Sequence, residues 1–108
     1  MRRDMARIDN MARIDNCIAK SEGAITVETV VKGWQDGSGF AYETVIDTVE
    51  FADADDYFKR AVPLKDWWEK DENPSYDDFL IQQNFYDGDS LIGTTKIWES
   101  ELESTTRA

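Results

Sequence analysis

Polar and apolar residues alternate from Ala24 to Trp34. Ile25, Val27, Thr29 and Val31 fall on one side of an extended chain, Thr26, Glu28, Val30 and Lys32 on the other. That period of two, rich in β-branched residues, predicts a strand. Gln35-Asp36-Gly37-Ser38-Gly39 supplies turn residues, and Phe40 to Phe51 resumes a β-rich pattern. The two runs predict an antiparallel hairpin. The period then changes. Ala54, Tyr57, Phe58, Ala61 and Val62 fall at i, i+3, i+4, i+7 and i+8, one apolar face of a helix that starts at Asp53 and stops at Pro63. Asp53 suits the N-cap, Asp55 and Asp56 the first turn, and Lys59 and Arg60 the last.

Beyond Pro63 the pattern is mixed. Leu64 to Asp71 allows one or two more helical turns. Its adjacent tryptophans, Trp67 and Trp68, would point about 100° apart, one inward and one towards the surface. Asp71-Glu72-Asn73-Pro74 is a break. Ser75 with Asp78 is compatible with a capping box and a helix from Tyr76 to Gln83. The rival is a hairpin, with strands Phe79–Tyr86 and Leu91–Trp98 joined at Asp87-Gly88. The Asp-Gly pair between β-rich runs favours this second reading.

The ends carry less pattern. Met5-Ala-Arg-Ile-Asp-Asn10 is repeated at once as Met11 to Asn16. A six-residue period leaves successive copies about 120° apart on a helix, so Met5, Ile8, Met11 and Ile14 spiral instead of forming a stripe. It is neither a heptad nor a solenoid repeat. Residues 1–20 are expected to be a flexible arm or short helix, dispensable for folding and with three methionines at which translation could begin. Residues 101–108 are expected to be a frayed tail, and residues 21–100 a single acidic domain.

The fold class predicted is therefore α+β: a small antiparallel sheet of two hairpins with one main helix packed on one face, a ββαββ-like order. The predicted core is Ile25, Val27, Val31, Val45, Val49, Phe51, Tyr57, Phe58, Ala61, Phe79, Ile81, Phe85, Ile92, Ile97 and Trp98.

Charge changes the picture. The 108 residues carry a formal net charge of −11. A folded chain of this mass exposes roughly 6,000 Å², so about 550 Å² of surface holds each uncompensated charge. Salt adaptation, solubility or a basic partner would account for it. Direct nucleic-acid binding and an anionic membrane are disfavoured, because phosphates repel such a surface. Between Glu50 and Asp89 stand twelve acids and four bases, interleaved with nine aromatic residues. Those rings distinguish the stretch from a disordered acidic tail.

Candidate chemistry is sparse. With no histidine, the Ser-His-Asp and Cys-His systems and histidine-bound zinc are excluded. The single cysteine, Cys17, permits no intrachain disulfide and fits a reducing cytoplasm. No apolar run spans a membrane, and no apolar segment follows Arg2 and Arg3 as a secretory signal requires. Asp36 to Gly39 lacks the lysine and helix of a phosphate loop. Asp53 to Asp56 lacks the glycine and glutamate of a calcium loop. Carboxylate pairs such as Asp55/Asp56 and Asp77/Asp78 have nothing that singles one out for acid–base work. No enzyme, cofactor or metal site is expected.

A resemblance adds to this. Phe51-Ala-Asp-Ala-Asp-Asp-Tyr-Phe58, then Asp71-Glu-Asn-Pro-Ser-Tyr76 and Gln82 or Gln83, resemble the first domain of ArdA-type antirestriction proteins. Small acidic phage inhibitors of bacterial defence, including anti-CRISPR proteins, are similar in size and charge. The resemblance implies a DNA mimic whose carboxylates block a nucleic-acid-binding protein. The expected contact residues are Asp66, Trp67, Trp68, Glu69, Asp71, Glu72, Tyr76, Asp77 and Asp78, acids interleaved with aromatic anchors. The expected partner is a basic nucleic-acid-binding protein, a defence nuclease or effector complex, in the cytoplasm of a host bacterium. A homodimer is compatible with an exposed hairpin edge. The alternative is a phage or plasmid structural or accessory protein whose acidity serves solubility alone.

Overall fold

The computed structural model describes residues 2–69 and 76–106 of the chain, with side chains described for residues 11–69 and 76–102. The elements in order are α1 (Arg2–Ala19), β1 (Ile25–Gln35), β2 (Gly39–Phe51), α2 (Ala54–Arg60), α3 (Leu64–Trp67), β3 (Asp78–Asp87), β4 (Ser90–Trp98) and α4 (Glu99–Thr106). The fold is α+β, with one four-stranded antiparallel sheet in the order β2-β1-β3-β4. Both hairpins predicted from the pattern are present. The helix suggested for Tyr76 to Gln83 is a strand instead. Glycines at positive φ close both turns, Gly37 (φ 86) and Gly88 (φ 60), conformations that cost other residues strain.

Register divides the sheet into two faces. Ile25 lies between Phe51 and Asp87, Val27 between Val49 and Phe85, Thr29 between Asp47 and Gln83. Further along, Val31 pairs with Ile81, which pairs with Ile97. This face carries the core, in two patches. Ile14 and Ile18 of α1 and Tyr57 of α2 pack on Ile25, Val27, Phe51 and Phe85. Leu64 of α3 and Leu102 of α4 pack on Ile81 and Ile97, with Trp67 and Trp68 alongside.

Four expectations are corrected. First, the segment expected to be a dispensable arm or short helix forms an 18-residue helix that joins the core, with Ile14 and Ile18 fully buried. Met11, Ile14 and Ile18 stand at i, i+3 and i+7, so the second copy of the repeat and the residue beyond it make a stripe that the six-residue period hides. Second, Glu99 to Thr106 is helix rather than tail, with Glu99 and Leu102 buried. Third, Val45 is 52% exposed. The β1–β2 pairing slips between Thr29 and Val30, leaving Ile46 as an extra residue on edge strand β2 and breaking its alternation. Fourth, Phe58 is 52% exposed, because a helix of only seven residues buries just Tyr57. The helices are several, and α1, α2, α3 and α4 each contribute core residues, in place of one main helix.

Candidate functional site

The acidic surface is built by the ends of the strands and the links between them. At one end of the sheet Asp53 caps α2, its Oδ1 accepting from the Asp56 N–H at 2.8 Å. Exposed Glu22, Glu50, Asp55 and Asp89 belong to the same end. Asp56 accepts two hydrogen bonds from Arg60, at 2.6 and 2.8 Å, and one from the Ala52 N–H at 2.9 Å. The Arg60 guanidinium also lies 5.0 Å from the centre of the Phe51 ring.

These bonds, Arg60 first and then Ala52, lower the Asp56 carboxyl from 3.8 to about 2. A carboxyl held below its unfolded value favours the fold above that unfolded value, and the benefit fades as pH drops towards about 2. Asp56→Asn should therefore melt at a lower temperature than the natural chain at neutral pH. The gap should close as pH falls from about 4 to about 2. Thermal melts across that range test it, and a gap that stays constant would refute the assignment.

At the other end Asp36, in the β1–β2 turn, meets the approach to β3. The Asp36 N–H donates to Asp77 Oδ2 at 2.6 Å, and the Asp77 N–H to the Trp34 carbonyl at 2.8 Å. Asp78 accepts from the Phe79 N–H at 2.9 Å and from the Ser100 hydroxyl at 2.8 Å. Asp36 and Asp77 are exposed and Asp78 is half-buried. Between the two ends, α3 and its C-cap present Asp66 and Glu69, both exposed.

The aromatic residues expected to stand among these acids are mostly engaged inside the protein. Trp67 and Trp68 are both half-buried against the second core patch, not one inward and one outward. Trp68 Nε1 donates to Glu99 Oε2 at 3.0 Å. Tyr76 lies across Gly33, so close that a β-carbon there would sit 2.8 Å from Tyr76 Cδ1. Its ring centre is 5.6 Å from that of Tyr42 and 5.5 Å from that of Phe79. Asp71 and Glu72 lie outside the described residues. Among the large apolar side chains that do face solvent are Phe58 and Val62, beside Leu91 near Asp89 and Phe40 near Asp36. The sequence placed Phe58 and Val62 on a buried helix face and gave no signal of their exposure.

The described residues hold no group of three or more acids or cysteines suited to a metal ion. No described helix is long and apolar enough to cross a membrane. No protein-family model matches the chain, and no curated protein or solved structure matches it either.

Proposed function

We propose that the chain is an acidic protein-binding inhibitor. It imitates DNA and blocks a basic, nucleic-acid-binding bacterial defence protein of the anti-restriction or anti-CRISPR type. The observation that supports this reading is the run of exposed carboxylates from one end of the sheet to the other. Glu50, Asp53 and Asp55 adjoin the Ile25 end of β1, Asp66 and Glu69 follow on the helical side, and Asp36 and Asp77 adjoin Trp34. From Ile25 to Trp34 a strand spans roughly 30 Å, within a molecule whose longest dimension is 44 Å. Duplex DNA carries one charge per about 1.7 Å of axis, so the run covers the length of some nine base pairs. Backbone and side-chain donors orient Asp53, Asp77 and Asp78, which lowers the entropy lost on binding. Exposed Lys59 and Lys65 stand in the same helical segment as these acids.

The test uses the immobilised protein in bacterial lysate at low and high salt, with release by added duplex DNA. The expected partner is retained at low salt, elutes with DNA, and is lost at high salt. The combined variant Asp66→Asn, Glu69→Gln and Asp77→Asn should weaken capture by on the order of tenfold. A partner that stays bound in excess duplex DNA, or that binds the neutralised variant equally well, would overturn the proposal.

A further inference from the structure

The two core patches do not meet. Between them, on the helical side of the sheet, is a cleft of about 750 Å³, within the size range of small-molecule sites. Its origin is local. α2 has seven residues and α3 four, and Pro63 between them forbids a continuous helix. The helical layer is therefore interrupted above the middle of the sheet.

The floor beneath it is chemically distinct from the rest of that face. One row across all four strands reads Asp47, Thr29, Gln83, Thr95. The row on one side is Val49, Val27, Phe85 and Gly93, and that on the other is Thr44, Val31, Ile81 and Ile97, apolar but for the threonine at the edge. Gln83 Nε2 donates to Thr29 Oγ1 at 3.2 Å, and Thr29 is 1% exposed. The Asp47 carboxylate, half-buried at the β2 end of the row, receives no hydrogen bond or ion pair among the described residues. Asp15 of α1 is the second carboxylate in the lining.

The walls are apolar and aromatic, with Phe51, Phe85, Ile97, Leu64 and Trp67. Two bases and one phenol complete the titratable lining: Arg60, Lys65 and Tyr57. The Arg60 charge is matched by Asp56. Lys65 is exposed. The cleft thus offers two carboxylates against one uncompensated ammonium, among rings that favour a cation at their faces.

We propose that this cleft binds a small amphipathic organic cation, an amine or quaternary ammonium on an apolar body. The charged end lies at Asp47, within the field of Asp15, and the body lies against Val27, Val49 and Phe85, the neighbouring row of the sheet. Burial raises the Asp15 carboxyl above 3.8. Burial first, and the Asp15 charge second, push the Tyr57 phenol up to about 12. Both groups therefore lie where charge is poorly solvated, and a bound cation would stabilise the Asp15 carboxylate. Neither Asp15 nor Asp47 belongs to the exposed acidic run, so this site is independent of the inhibitory surface.

The experiment titrates the full chain by calorimetry with three probes of one body: 3-phenylpropylammonium, 3-phenylpropanol and 3-phenylpropionate. Side-chain resonances of Gln83, Val49 and Asp89 report location. Saturable one-to-one binding of the ammonium is expected, tighter than the alcohol and the carboxylate, with shifts at Gln83 and Val49 and none at Asp89. Asp47→Asn should weaken it about tenfold, while Asp89→Asn, an equal change of net charge, leaves it unaltered. Asp15→Asn gives a second, smaller loss that does not depend on the strand. The proposal is overturned if the ammonium does not saturate, if the carboxylate binds as tightly, if Asp47→Asn and Asp89→Asn behave alike, or if the shifts fall outside the cleft.

Discussion

Replacing Ile14 and Ile18 together with alanine is expected to remove most of the folding free energy. Both are fully buried, in the same patch as Ile25, Val27, Phe51, Tyr57 and Phe85. Truncating a buried isoleucine costs about 2–5 kcal/mol, the lost transfer energy plus a cavity. A domain of this size holds only about 5–15 kcal/mol in total. The two positions are one helical turn apart, so their effects share a cavity and need not add. Urea unfolding followed by tryptophan fluorescence measures the loss. Asn16→Ala, exposed on the same helix, is the control and should stay within about 0.5 kcal/mol. If the double variant matched that control, α1 would be an appendage and not part of the core.

Gly93→Ala is expected to undock the same helix by a different route. Gly93 of β4 faces Ile14, and a β-carbon there would overlap Ile14 Cγ1 and lie 2.8 Å from Cδ1. Ile14 is fully buried, in contact with the core around it. Overpacking of this kind costs about 1–3 kcal/mol. The decisive measurement is a double-mutant cycle. In an Ile14→Ala background the added methyl enters the space that the isoleucine vacates, so Gly93→Ala should cost little or even stabilise. A coupling of about 1 kcal/mol or more is expected. Additive losses would mean that Gly93 is required for its backbone and not for the approach of α1.

The acidic run and the cleft make separate demands on the chain. The run needs exposed charge, which surface positions tolerate with little effect on the fold. The cleft leaves apolar surface and an unmatched Asp47 in place of a filled core. A chain of 108 residues buries a thin core to begin with, which makes the cleft an expensive feature to retain without a use.

The strands, both turns and the start of α2 were legible in the sequence because each rests on neighbours. Alternation from Ile25 to Trp34 needs only a pleated chain. Asp87-Gly88 needs only a residue tolerant of positive φ. Asp53 needs only the N–H of Asp56. The acidic residues were equally legible, though not their arrangement from end to end, which depends on where the strands stop. What tertiary structure alone decided was everything that pairs distant segments. Strand order β2-β1-β3-β4, the slip that exposes Val45, and the engagement of Trp68 by Glu99 have no local signature. Neither does the polar row from Asp47 to Thr95, which comes from four strands. The stripe of Met11, Ile14 and Ile18 was present in the sequence. It becomes a core element only because Gly93, seventy-five or more residues away, lacks a side chain and lets the helix come close.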